Sequence, residues 1–181
     1  QLQKGTNPNH IAFLAFTKKA ANEAKERAAK RFDLDPDEDL CFFRTLHSLA
    51  LSMTEIRTEQ VMSGMHYQEL SKKIGVSLSK SPSLDADIQD LQSNDHPILN
   101  TINLARLKKV DLRQLYNETY IEYDWNTVNY VHQCYKEYKL KNNLFDFTDM
   151  LQSFIDNADQ CCPTFQVTFL DEAQDLSPLQ W

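Results

Sequence analysis

"IAFLAFTKKAANEAKERAAKRF" (Ile11–Phe32) decides the fold. Ile11 to Phe16 form a short continuous apolar run, the pattern of a strand covered on both faces, as strands of parallel sheets are. Thr17 then fits a helix N-cap, and Ala20, Ala21, Ala24, Ala28 and Phe32 recur at helical spacing. The reading is strand, tight turn, helix. An alanine-lined face lets the helix lie close to a sheet while its long basic side chains stay in water. Those basic residues are concentrated: Thr17 to Arg31 holds six Lys/Arg against two Glu.

Beyond this unit an acidic stretch, "DLDPDED" (Asp33–Asp39), precedes a shorter copy of the same pattern. "CFFR" (Cys41–Arg44) reads as a strand, Thr45 as the next N-cap and "LHSLALSM" (Leu46–Met53) as a helix. From about Thr54 to Asn142 the chain becomes mainly helical. Pro97 marks a helix start followed by Ile98, Ile102, Ala105 and Leu107. Tyr116, Tyr120 and Tyr123 form one helical stripe, and Val128, Val131, Tyr135 and Tyr138 another; both read as core rather than as platforms for stacking bases. Gly75 to Asp95, rich in Ser and Asp, reads as a mobile loop. "LFDFTDMLQSFI" (Leu144–Ile155) gives an amphipathic helix, and "FQVTFL" (Phe165–Leu170) a closing strand that delivers "DEAQD" (Asp171–Asp175). Ser177-Pro178-Leu179-Gln180 then spells a capping box with proline at the first helical position, just ahead of Trp181. A helix announced there, and a first strand so near Gln1, lead us to expect an internal piece of a larger protein.

The bulk numbers agree with a globular chain. It has 181 residues, 41% hydrophobic and 25% charged, with no run approaching the roughly 20 apolar residues of a membrane span. Formal net charge is -7, which argues against a nucleic-acid partner until the basic helix at Thr17–Arg31 is set apart from the acids around it. No signal-peptide pattern opens the chain, so the cysteines Cys41, Cys134, Cys161 and Cys162 read as reduced thiols of a cytoplasmic protein. They never form Cys-x-x-Cys, and His132-x-Cys134 is a poor metal signature.

In a parallel sheet built with right-handed crossovers, every strand-to-helix turn opens on one edge, where ligands bind. Thr17, Thr45 and Asp171 should therefore share a rim. The free amides at two helix starts suit phosphate, with Lys18 and Lys19 beside the first. Acids at the third strand end suit Mg²⁺, which takes oxygen ligands and bridges substrate phosphates. The plainer reading of Asp171, Glu172 and Asp175 is a solvated, helix-capping corner.

"FLDEAQD" (Phe169–Asp175) resembles the Walker B motif of the UvrD/Rep-like superfamily 1 DNA helicases: an apolar strand, then Asp-Glu-x-Gln-Asp. "FLAFTKKAANEAKERA" is similar to that family's motif Ia, "FRTLHSLA" to its Thr-x-His DNA-contacting motif, and "YKEYKLKNNLFDFTDML" to the segment that re-enters the core ahead of motif II. The resemblance implies a partial RecA-like, P-loop NTPase type α/β core, with residues 1–54 and 143–181 in the core and 55–142 as a helical insert. It implies ATP and Mg²⁺ as cofactors, with Asp171 holding the metal through water and Glu172 activating the water that attacks the γ-phosphate. Gln174 and Asp175 would couple the nucleotide site to DNA. Phe16, Thr17, Lys18, Lys19, Thr45 and His47 would meet single-stranded DNA or a single/double-strand junction. Asp146, Phe147 and Asp149 would organise the return to the core. A bacterial or phage-infected cytoplasm is the implied setting, with 3′ to 5′ polarity. Partners would include a second RecA-like domain and a Walker A segment, because the chain has three glycines, Gly5, Gly64 and Gly75, and no Gly-x-x-x-x-Gly-Lys-Ser/Thr. The chain alone is thus expected to bind ATP poorly and to hydrolyse essentially none.

Two other readings compete. A metal-dependent nuclease would use Asp149, Asp171 and Glu172, with Glu137-Tyr138-Lys139 as its Glu-x-Lys, although the helical pattern there points Glu and Lys to different faces. A non-catalytic module would bind single-stranded DNA, or a protein, through the basic helix and the two threonine-capped turns.

Overall fold

Strand β1 (Ile11–Ala15) is the middle of a three-stranded parallel sheet of order β2-β1-β3, with β2 at Phe43–Thr45 and β3 at Val167–Leu170. The computed structural model describes residues 1–78 and 96–181. Among these, seven α-helices are found: α1 (Lys18–Phe32), α2 (Leu46–Met53), α3 (Gly64–Ile74), α4 (Pro97–Lys108), α5 (Leu112–Glu118), α6 (Trp125–Asn142) and α7 (Phe147–Cys161).

The chain divides into two compact units. The sheet unit comprises residues 1–55 and 153–176, and the helical unit residues 56–152 and 177–181. The division falls inside α7, whose first turns group with the helical unit.

In the sheet unit, α1 forms for the reasons legible in its sequence. Thr17 Oγ1 accepts from the Ala20 N–H at 3.1 Å, satisfying one of the donors a helix start leaves open. The far end closes with Asp33 in the left-handed region. Ala21 is buried, and Ala24, Ala28 and Ala29 pack around the cluster of Ile11, Leu40 and Phe43. Phe13 and Phe43 stack across β1 and β2 with centroids 5.6 Å apart. The acidic stretch is a folded turn rather than a repelling run. Asp35 accepts from the Asp37 and Glu38 amides, which holds its carboxyl below the usual range, and Lys25 pairs with Asp37 at 2.9 Å.

β3 is less covered than β1. Its Thr168, Phe169 and Leu170 are exposed, Phe169 by 45%, and among the described residues it pairs on one side only, with β1. The second strand begins two residues later and ends one residue later than its expected span: Cys41 and Phe42 precede it and Thr45 ends it.

The helical unit has its own core of Met62, Tyr67, Leu70, Leu78, Ile98, Leu99, Ile102, Val128, Val131, Tyr135, Tyr138 and Leu144. The stripe of Val128, Val131, Tyr135 and Tyr138 is therefore buried as expected, and Pro97 does open α4. The other tyrosine stripe is not helical. α5 stops at Glu118, and Thr119 turns extended, leaving Tyr120 93% exposed and Tyr123 in the connection to α6. Tyr116 and Tyr123 still meet, because the Tyr116 hydroxyl donates to the Tyr123 carbonyl at 3.1 Å. Residues 79–95, most of the expected loop, lie outside the described residues, whereas Gly75 (φ 71°) caps α3 and Leu78 is buried. At the C-terminus the announced helix is only a turn. The Gln180 side chain accepts from the Ser177 N–H at 2.8 Å, half of a capping box, and the Trp181 N–H returns to the Ser177 carbonyl.

The architecture is α/β, a RecA-like partial parallel core with a large helical component. Among the described residues no helix is long and apolar enough to cross a membrane.

Candidate functional site

The register of the sheet fixes where the candidate residues sit. Ala15 pairs with Thr45 and Leu14 with Leu170, and the Asp171 N–H donates to the Leu14 carbonyl at 2.9 Å. All three strands run in one direction, so Phe16 and Thr17, Thr45, and Asp171 leave the sheet at the same rim.

At the first turn, Thr17 is committed to its cap and Lys19 is exposed beside it. At the second, Thr45 is only 8% exposed and its Oγ1 accepts from the Ser48 N–H at 3.2 Å. What this turn offers a ligand is therefore its amides rather than the threonine hydroxyl. His47, in the first turn of α2, is half-buried, and desolvation pushes its pKa down to about 4, so the ring is neutral at pH 7. A base whose pKa is depressed on folding favours the unfolded chain as pH falls. Stability from this group is complete above about pH 6.5 and declines as pH drops toward 4. Replacing His47 with Ala is expected to flatten stability over that window, which urea unfolding at pH 7, 6, 5 and 4 would read.

The third turn holds the acids. Glu172 adopts φ 51° and ψ 42°, the left-handed region that a residue with a Cβ enters at some strain, and Ala173–Asp175 follow as a single 3₁₀ turn. The Gln174 amide donates to the Glu172 carboxylate, and the Asp175 N–H to the Glu172 carbonyl at 2.9 Å. Among the described residues, no Lys, Arg or His bridges Asp171, Glu172 or Asp175. Nor do described residues form any group of three His, Cys, Asp or Glu able to hold a metal by themselves. This donor set fits Mg²⁺ in one manner, with a carboxylate as one anchor and the remaining oxygens from water and a nucleotide's phosphates.

Asp149 is already engaged within the helical unit, which counts against its use as a nuclease ligand. Both oxygens of Asp149 are taken up, by Arg106 on one side and Lys139 at 2.5 Å on the other. Within α6, Glu137 is exposed and Lys139 is buried, so the Glu-x-Lys letters face opposite ways.

Arg106 and Lys139 belong to a feature that sequence reasoning missed. Asp146 and Asp149 cap each other's backbone at the start of α7, with the Asp149 N–H to Asp146 Oδ1 at 2.8 Å and the Asp146 N–H to Asp149 Oδ2 at 2.9 Å. Asp146, 4% exposed, also accepts from Arg106 Nη1 at 2.7 Å, Lys139 Nζ at 2.5 Å and the Tyr135 hydroxyl at 2.8 Å. Burial alone would raise its pKa. The ammonium of Lys139 and the guanidinium of Arg106 overcome that and hold the carboxyl well below its usual range. Burial, and then Asp146 itself, pushes the Tyr135 hydroxyl up. The spacing of Asp146 and Asp149 fits a capping pair, but no spacing announces which cations will meet them from α4 and α6.

The chain is 25% identical over 186 aligned residues to the ATP-dependent DNA helicase PcrA of Bacillus subtilis (strain 168), covering 99% of this chain and 25% of that protein. It is 24% identical to the putative ATP-dependent DNA helicase YjcD of the same organism, covering 98% of this chain and 24% of that protein. It thus spans about a quarter of the length of these relatives. The profile of the UvrD/REP helicase N-terminal domain matches residues 2–181, and this chain is a member of that family.

Proposed function

We propose that this chain forms part of the first motor domain of a cytoplasmic, ATP-dependent DNA helicase or translocase, with its nucleotide acids and its DNA-facing helix starts on one sheet rim. The observation that carries the reading is the register, which brings Leu14 level with Leu170 and Ala15 level with Thr45. Asp171 is the carboxylate that would anchor Mg²⁺, through water. The bound ion would neutralise charge on the phosphates. Glu172 orients the attacking water and takes its proton onto the carboxylate, and the Gln174 amide restrains that carboxylate. Asp175 supports the turn through its amide. Phe16 through its backbone, Thr17, Lys18, Lys19, the Thr45 turn and His47 contact the phosphates of single-stranded DNA or of a junction. A phosphate-binding loop and a second RecA-like domain complete the ATP site.

Because the chain has no Gly-x-x-x-x-Gly-Lys-Ser/Thr, DNA binding rather than hydrolysis is the property to test in it directly. Titration of a fluorescent oligo-dT at several salt concentrations should show affinity falling as salt rises. Lys19→Ala should reduce the slope of log affinity against log salt by about 0.7, the loss of one single-strand phosphate contact. Affinity indifferent both to salt and to Lys18→Ala and Lys19→Ala would remove the DNA assignment from this rim.

A further inference from the structure

The helical unit is tied where its chain begins and where it leaves. Four residues into the unit, Gln60 accepts from the Phe145 N–H at 2.8 Å, and Phe145 accepts from the Met62 N–H at 2.8 Å, a parallel bridge of Val61 with Phe145. Phe145 immediately precedes Asp146. The bridge therefore lies against the side-chain cluster in which Arg106 of α4 and Lys139 of α6 hold the reciprocal cap Asp146–Asp149 of α7. From Asp146 a hydroxyl chain continues through Tyr135 to Tyr67 of α3 at 3.1 Å. Three helices, α4, α6 and α7, meet at the Asp146 carboxylate, α3 joins them through Tyr135, and the incoming segment is bonded to the residue just before it.

A cluster of this kind is a poor way to gain stability. Two cations and two anions lose much of their hydration on burial, and an apolar set of the same volume often does as well or better. What it provides is geometry: each oxygen of Asp146 and Asp149 has a fixed donor, so the segment Phe145–Asp149 fits in one register only.

We propose that Arg106, Lys139, Asp146 and Asp149 act as a clasp at the base of the helical unit, holding its incoming segment at Gln60–Met62 to its outgoing segment at Phe145–Asp149. With the clasp closed, the two ends of the excursion behave as one piece. This inference is independent of the helicase reading.

Native-state hydrogen exchange on the intact chain tests it. Asp146→Asn removes the charge that both cations share and should speed exchange of the Met62, Phe145, Asp149 and Met150 amides about 100-fold, as local opening at the clasp requires. The Leu70 and Val131 amides, in the interior of α3 and α6, should change little. Should Asp146→Asn not fold, Asp149→Asn decides: its carboxylate is 25% exposed, and the same four amides should accelerate by a smaller factor. Unchanged Met62 and Phe145 exchange would overturn the clasp by showing that the bridge stands without the charges. Equal acceleration at Leu70 and Val131 would overturn it by showing a general loss of core stability.

Discussion

Glu172→Gln is expected to lower ATP turnover at least about 100-fold in a motor that contains this chain together with a phosphate-binding loop, and to change ATP affinity only a few-fold. The reason lies in the turn. Glu172 stands at the end of a strand whose pairing with β1 is fixed by hydrogen bonds, so an amide of nearly the same shape keeps the position and loses only the ability to accept a proton. Asp171→Asn should behave differently, raising the Mg²⁺ concentration needed for half-maximal turnover as well as lowering the rate. Single-turnover hydrolysis with separately measured nucleotide binding distinguishes the two. Wild-type turnover by Glu172→Gln would exclude it as the base.

Lys139→Met is expected to destabilise the helical unit by about 3 kcal/mol, the lower end of what breaking a buried ion pair removes. The end is the lower one because Asp146 keeps Arg106 and Tyr135 as partners after the ammonium is gone. Urea unfolding would show this as a lower midpoint at unchanged slope. Converting all four charged members to apolar residues of similar volume should restore much of the loss, since no uncompensated charge then remains buried. The cluster also sets an acid limb. Asp146 titrates lower when folded than the unfolded carboxylate near pH 3.9, so its contribution is complete above about pH 4 and is lost only as pH falls through its depressed folded value.

The sheet was legible because its determinants are local. The run Ile11–Phe16, the cap at Thr17 and the alanine face of α1 each follow from neighbours in sequence, and together they leave one arrangement open. The acids of "DEAQD" were legible for the same reason: an apolar strand delivers them. The tyrosines were not, because Tyr116, Tyr120 and Tyr123 keep helical spacing across a break at Glu118 that no glycine or proline marks. The cluster around Asp146 was hidden more deeply. Lys139 follows Tyr138 along the buried face of α6 and looks, by spacing alone, like a solvated neighbour of the core. Its burial depends on Arg106, Asp146 and Asp149 arriving from other helices, which is information of the fold rather than of any window. The exposed faces of β3 depend likewise on what packs over them.

β3 has a further consequence for anyone handling the chain by itself. Phe169 and Leu170 stand open to water on a strand whose outer border pairs with no described residue, and such a border templates pairing with another chain. At high concentration the preparation should self-associate and scatter light on warming well before the helices melt. Thr168→Lys, which places a gatekeeper charge on the exposed face of that strand, should delay the turbidity without moving the helical melting curve.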